Sequence, residues 1–485
     1  MAVKIMDQMF RYTLLGICIA FSTLGLAQNK KAVLSMEEAI GFAVDRNLSI
    51  KLGEVNADLA KEGEKQAKMS FLPSVNAFGS HGYNWGQTID PFTNTFASSR
   101  VQSNSFALSS NWTLFGGMQR HYTLAQRKAE SKASELELDQ SRNDVSINVA
   151  QAYLTAVYNQ ELLAIAVEQL ALSNQQYDRV KQQYEIGQVS MSTLLDIEAQ
   201  KANDELSLTN SKNQYQLSRL QFFQMIQSTE EEQRMELELP DLTSVNAKVV
   251  SSTPKSLYNS ALEALPDVKA SEYRLLASEK GLSAARGSYI PQLSMNASYG
   301  SGYSGNNVVG VGDPVLRADT VPGLYTTNGA QLIQISPEFN TKTKAFKDQI
   351  NDNFNQSLSF SLNIPLFNGG NTRTNVNRSK LNVLQTKIQL DQAKNTLRQK
   401  VETAWNDALA AYQRLQSSEK AAIAQQQSFD NAQIRFEENL ITSVDFNDFK
   451  VRLARSQADF VQAKVDYIFK SKVLDFYKGE NLSLR

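Results

Sequence analysis

The residues able to do chemistry are few and scattered. There are two histidines, His81 and His121, 40 positions apart, and one cysteine, Cys18. No His–Cys spacing suits a metal, and no phosphate-binding glycine loop or nucleophile elbow occurs. Asp445 and Asp448 stand three apart, a spacing that puts both carboxylates on one helix face. Near a helix N-terminus such a pair is also what the macrodipole favours, with no further role. These residues predict no enzyme, no metal and no cofactor. The function must then lie in the elements that carry them.

The bulk properties narrow the classes. The 485 residues include 49 basic and 50 acidic side chains, for a net charge of −1. That balance exerts no pull on nucleic acid. Lys4 and Arg11 flank the apolar stretch Leu14 to Ala27, and Gly25-Leu26-Ala27 suits signal cleavage. About 14 apolar residues fall short of the roughly 20 a spanning helix needs. A lipoprotein would use Cys18, but bulky Ile17 precedes it. Residues 1–27 are therefore expected to be a signal peptide, and Cys18 to leave with them, so no disulfide framework is expected. No later apolar run is long enough to span a membrane as a helix, so any membrane contact is expected through β-strands.

The chain is written twice. "SFLPSVNAFGSHGY" from Ser70 resembles "SYIPQLSMNASYGSGY" from Ser288, and "NSFALSSNWTLFGG" from Asn104 resembles "SLSFSLNIPLFNGG" from Ser357. Leu114-Phe115 answers Leu366-Phe367 252 positions later, and "YEIGQVSMSTLLD" from Tyr184 answers "FEENLITSVDFND" from Phe436 at the same offset. An unchanged offset implies a duplicated helix of fixed length, since loops tolerate insertion.

One plan serves both halves. The first repeat covers 28–228, with a helix from about Ser35 to Met69, strands 73–85 and 103–114, and helices 118–186 and 190–228. A connector, 229–254, leads to the second repeat, 255–478, with strands 291–303 and 353–366 and helices 371–438 and 442–476. A short tail, 479–485, follows. Residues 86–103 and 304–352 read as loops between strands. Neither Gly nor Pro occurs from Met118 to Ile186. Small or apolar residues there recur at Val149, Ala152, Ala156, Leu163, Val167, Leu170, Tyr177 and Tyr184, a coiled-coil-like seam. Gly187 and Asn439 hold equivalent places where the long helices stop, and both types tolerate the left-handed conformation. Ser190 and Thr442 then suit N-caps, so each site is the tip of a helical hairpin. The short first helix and the last helix of a repeat together match the long one in length and can lie beside it.

The strands have two kinds of face. Phe106, Leu108, Trp112 and Leu114 share one face of the first repeat's returning strand, and Leu358, Phe360, Leu362 and Ile364 one face of its counterpart. The intervening positions are mostly Ser, Asn or Thr. A soluble sandwich also alternates, but it gives no reason for each strand to feed a helix of about 100 Å. A transmembrane barrel with its apolar face toward lipid fits better. Four strands cannot close a barrel, and open edges cannot face lipid, so several chains must share one. Both inter-strand loops lie at the end away from the helices, so they project outside the cell and the helices enter the periplasm.

With these features the chain resembles the TolC-like outer membrane factors of efflux and type I secretion systems, from Ser35 to about Phe476. The "LFNGG" junction and the two tip motifs carry the resemblance with the duplication. It implies a mixed α and β membrane protein, a homotrimeric α/β-barrel. Three chains share a 12-stranded β-barrel, and a long periplasmic α-helical coiled-coil tunnel hangs below it. It implies an exit duct in the outer membrane, its partners being a periplasmic adaptor (membrane fusion) protein and an inner-membrane RND or ABC pump. It also implies that Asp445 and Asp448 line the tunnel constriction as two carboxylate rings, which favour cations and hold raised pKa values when crowded. Asp196 answers Asp448, but Thr193 answers Asp445, so the tips differ. Adaptor contact is expected at the tips through Gly187, Val189, Ser190, Asn439, Leu440, Ile441 and Thr442. Phe436 and Ile441 replace the Tyr and Arg that latch well-known members, so closure is expected to rest on apolar packing or other partners. The alternative function is a surface-anchored, adhesin-like coiled-coil protein without transport activity. The cargo is not encoded in any of these residues.

Overall fold

The computed structural model describes residues 33–97, 100–238, 252–438 and 440–480. The expected signal segment with Cys18, most of the connector and Asn439 lie outside the described residues. In chain order the elements are β1 (Val33–Leu34), α1 (Met36–Arg46), α2 (Leu48–Met69), β2 (Ser74–Asn84), β3 (Thr88–Ile89), β4 (Phe96–Ala97) and β5 (Val101–Gly116). The first hairpin follows as α3 (Gln119–Glu185) and α4 (Met191–Met225), then β6 (Glu236–Leu237). The second half holds α5 (Pro254–Ala264), α6 (Pro266–Gly287), β7 (Gln292–Ser304), β8 (Val308–Tyr325), β9 (Gln331–Thr343), α7 (Phe346–Asp352), β10 (Asn355–Asn363), α8 (Asn371–Glu437) and α9 (Ser443–Tyr477).

The chain forms two compact units. One comprises residues 60–131 and 274–387, the other 1–59, 132–273 and 388–485. In the first, four antiparallel strands pair in the order β10-β7-β5-β2, leaving β10 and β2 as open edges. Register sets the faces: Leu108 pairs with Ala77 and Tyr299, Trp112 with Met295, and Met295 with Phe360. Val75, Phe106, Leu108, Trp112, Leu293, Met295, Leu358, Phe360 and Leu362 therefore share one face. The other carries mostly Ser and Asn, with Phe78 among them. There Asn111 donates to Asn296 at 2.6 Å, and the Ser298 and Ser357 hydroxyls bond at 2.7 Å.

Three expectations need correction here. Leu114 does not continue the face of Trp112, because a bulge between Thr113 and Phe115 sets Phe115 opposite Leu293. Segment 86–103 holds a short ladder, β3 with β4, under which Asp90 is fully buried and accepts the Phe92 and Thr93 amides at 2.9 and 3.1 Å. Segment 304–352 is no loop: β8 and β9 form a long antiparallel ribbon, and α7 follows it. Where β5 turns into α3, a Cβ on Gly117 would come within 2.4 Å of the Gly287 carbonyl oxygen. Only glycine permits that approach.

The second unit is built from the hairpins. Helices α3 and α8 are 67 residues each, and α4 and α9 are 35 each. At 1.5 Å per residue the longer ones extend about 100 Å. Around Tyr153, which is wholly buried, Leu34, Ala39, Ala43, Phe222, Phe223, Ile226, Leu237, Val465 and Ile468 make one core. The Tyr153 hydroxyl donates to the carbonyls of Leu34 at 3.1 Å and Glu238 at 2.6 Å, fastening the parallel pair β1–β6.

The single helix expected over Ser35 to Met69 is two. Asn47 is extended (φ −61°, ψ 128°), and its side chain accepts the Ser49 amide at 2.8 Å, capping α2. The second repeat breaks likewise at Leu265 (φ −86°, ψ 142°), where Pro266 disfavours helix in its predecessor. The seam along α3 also shifts. Val149 and Ala156 are buried, but Val167 and Tyr184 are 52% and 39% exposed. Beyond Asn159 the buried stripe runs instead through Ala166, Gln169, Ser173, Gln176 and Val180. Its polar and small members escape an apolar periodicity search.

Candidate channel, constriction and docking surfaces

The hairpin tips repeat one geometry at the duplicated positions. After α3 the Gln188 amide donates to the Gln183 carbonyl at 2.8 Å, and after α8 the Leu440 amide donates to the Arg435 carbonyl at 2.7 Å. Gly187 takes φ +75° and faces open space. Ser190 accepts the Thr193 amide at 3.2 Å, capping α4. Thr442 and Asp445 form a reciprocal capping box on α9: each accepts the other's backbone amide at 3.2 Å, and the Thr442 hydroxyl donates to Asp445 at 2.7 Å. Gly187, Ser190 and Thr442 are exposed, Val189 is half-buried, and Leu440 is 69% exposed.

Asp445 and Asp448 both stand exposed on the first two turns of α9. Hydrogen bonds from the Thr442 hydroxyl and amide hold the Asp445 carboxyl below its ordinary value. Within one copy, then, Asp445 is lowered, not raised as crowded carboxylates would be. Asp448 pairs with Arg452 at 2.6 Å, one turn on.

Apolar packing stands where a polar latch was in question. Phe436 stacks on Phe446 with centroids 4.7 Å apart and planes 18° apart, and Phe429 lies 5.4 Å from Phe446. Leu453 and Ala432 are buried with them, and Leu172, Ile441 and Phe449 pack against the cluster. Leu172 belongs to α3, so the cluster joins the two hairpins. The Arg179 guanidinium lies 5.7 Å from the Phe436 ring and donates to the Glu437 carbonyl at 2.8 Å.

One group went unnoticed in the sequence. The Lys450 side chain is 1% exposed, and its ammonium sits 2.5 Å from both the Asp204 carboxylate and the Ser173 hydroxyl. Ser173 itself donates to Asp204. Gln200 donates to Asp204 at 3.2 Å and accepts from Asn447 at 3.0 Å. Helices α3, α4 and α9 are thereby tied by a buried charge pair. Burial pushes the lysine below its ordinary value, against the opposing pull of Asp204. The available signal was Lys450 standing between Phe446 and Leu453 on the apolar stripe of α9, a position a solvated lysine would avoid.

On the sheet, Phe106, Leu108, Trp112, Leu358, Phe360, Leu362 and Ile364 are all uncovered, Phe360 to 61%; Ile364 lies just past β10. Among the described residues no cluster of three or more His, Cys, Asp or Glu could hold a metal, and no helix is long and apolar enough to cross a membrane.

Comparison with known proteins places this architecture. Two solved outer membrane proteins share the fold. One is VceC of Vibrio cholerae, with a TM-score of 0.71 at 14% identity, covering 92% of this chain and 97% of that one. The other is CmeC of Campylobacter jejuni, with 0.69 at 16% identity, covering 95% and 92%. In sequence, the outer membrane efflux protein BepC of Brucella suis is 21% identical over 473 residues, covering 96% of this chain and 91% of that protein. TolC of Escherichia coli is 22% identical over 476 residues, covering 94% and 83%. The family described as "Outer membrane efflux protein" matches residues 39–226 and 257–479, which takes in both repeats. The chain is thus no adhesin-like stalk: it belongs to the outer membrane efflux protein family.

Proposed function

We propose that three copies close one barrel in the outer membrane and that the chain is the exit duct of an efflux system. The observation that carries this is the sheet β10-β7-β5-β2, which has one apolar face, one Ser/Asn face and two unpaired edges. In hydrocarbon an unpaired strand edge leaves backbone groups unsatisfied at several kcal/mol each, so edges must meet edges. Joining β2 of one copy to β10 of the next makes a wall of twelve strands. The apolar face then meets lipid, and Ser and Asn line a wet lumen.

Below the membrane the hairpins continue the conduit. Asp445 and Asp448 line its narrow end as rings of three, and within each copy hydrogen bonds from Thr442 hold the Asp445 carboxyl below its ordinary value. The exposed tip residues Gly187, Ser190, Leu440 and Thr442, with Val189, Ile441 and Asn439, receive a periplasmic adaptor that links the duct to an inner-membrane pump. The duct does no chemistry. It supplies a sealed aqueous route and leaves cargo choice to the pump. Single-channel recording in planar bilayers tests this reading. Wild-type protein conducts and is blocked by multivalent cations from the helical side, and Asp445→Asn with Asp448→Asn weakens the block. A protein that never conducts would refute the duct, and unchanged block would remove the two aspartates from the constriction.

A further inference from the structure

The ribbon β8–β9 presents an apolar face that one copy leaves bare. Along β9, Ile333, Ile335, Pro337 and Phe339 point one way, and Leu332, Gln334, Ser336, Glu338, Asn340 and Lys342 the other. The register sets Thr320, Ala318 and Leu316 opposite Ile333, Ile335 and Pro337, completing the apolar face. Arg317 occupies the other face, 3.2 Å from Glu338 and 3.5 Å from Asp319, where Val309, Val311 and Val315 are interspersed with charged and polar residues. Leu316, Ile333 and Ile335 are 69%, 59% and 64% exposed. A lone two-stranded ribbon is marginal in water, and a contiguous bare apolar face marks a contact surface.

The base of the ribbon is fixed. The Gly305 amide donates to the Gln102 carbonyl, and the Lys344 amide to the Asn307 carbonyl, both at 2.8 Å. Gln349, wholly buried, accepts the Ser304 amide at 2.9 Å and donates to the carbonyls of Ser304 and Lys344 at 3.0 and 2.9 Å. The ribbon therefore rises directly from the end of β7, a barrel strand. Lipid tails cannot reach it. The 13 residues of β7 already supply about 43 Å along the strand, or about 33 Å of height at the usual tilt, more than the apolar band of a barrel. Pro314, Pro322 and Pro337 remove ladder donors, so edge-to-edge extension with another strand is disfavoured. Face packing remains.

We propose that the ribbon's apolar face is covered by the same ribbon of neighbouring copies, so that three ribbons pack face to face outside the barrel mouth. The shared barrel brings three fixed bases around one axis, and the ribbon contact continues that interface outward. This rests on the trimeric duct. The test uses the full chain carrying Cys18→Ser and one new cysteine, either Ile335→Cys on the apolar face or Gln334→Cys on the other face. The purified complex is treated with a short bis-maleimide and its mass is measured in detergent. Ile335→Cys is expected to give covalent dimers and trimers, and Gln334→Cys none. A complex that keeps trimeric mass but yields no Ile335→Cys product overturns the ribbon contact and leaves the duct standing. Protection of that cysteine in whole cells without cross-linking assigns the face to another occupant and overturns it equally. Monomeric mass removes both.

Discussion

Removing the Asp204 carboxylate is the sharpest perturbation of the helical unit. The Lys450 side chain is 1% exposed and Asp204 15%, so Asp204→Ala strands a nearly dry ammonium against the neutral Ser173 hydroxyl. Breaking one side of a buried pair costs about 3–5 kcal/mol. Lys450→Met is milder, because the partly wet Asp204 keeps its bonds from Ser173 and Gln200. Replacing both, with Lys450→Met and Asp204→Leu, restores most of the loss, since an apolar pair of similar volume is often as stable as the ions. The assay is amide hydrogen exchange along α9 in the intact complex, which reads local opening where a single global unfolding energy is ill-defined. At tenfold per 1.4 kcal/mol, Asp204→Ala speeds exchange around Lys450 by about two to three and a half orders of magnitude. Burial lowers the lysine's pKa below 10.5, so the folded state sheds its proton first. Corrected for intrinsic exchange chemistry, protection therefore rises with pH between the lowered value and 10.5, and Lys450→Met abolishes that rise. Exchange in Asp204→Ala within tenfold of wild type, or a double variant no better than Asp204→Ala alone, would show that the Lys450–Asp204 pair does not hold α9 in place.

Other substitutions probe the remaining supports. Phe446→Ala removes a ring that is 3% exposed and stacked on Phe436, at about 3–5 kcal/mol, and exchange should accelerate at both hairpin tips because Leu172 shares the cluster. Gly187→Ala strains the left-handed turn by about 1–2 kcal/mol with no clash, so local exchange at the first tip rises, and Gly187→Asn restores most of the protection. Arg46 donates to both Glu232 oxygens at 2.8 and 3.0 Å and holds that carboxyl below its ordinary 4.5. The stability this supplies is complete above 4.5 and disappears as pH falls through the lowered value, so acid titration followed by circular dichroism should show Arg46→Ala weakening that acid-side dependence, the Thr229 amide bond to Glu232 remaining.

What could be read from the sequence was what repeats or alternates without interruption. The unchanged spacing from Leu114-Phe115 to Tyr184 and from Leu366-Phe367 to Phe436 marks two helices of one length, and the structure gives both the same 67 residues. Interruptions hid the rest. Asn47 caps a helix with a two-residue bond that breaks no apolar period, whereas Pro266 was an open signal for the equivalent break. The alternation from Ile333 to Phe339 stands in the sequence, but its partner strand is interrupted by Gly312, Pro314, Pro322 and Gly323, which break the period of two. Leu114 kept the period of two in sequence while the bulge moved Phe115 into register. Lys450 and Ser173 were overlooked because a search for apolar stripes passes over a polar residue whose partner lies on another helix.

Four strands with two open edges require other copies of the same chain. Native mass spectrometry of the mature protein in detergent tests it most directly. A complex of three chains, lost only when the barrel unfolds, is the predicted result. A folded, conducting monomer would contradict it.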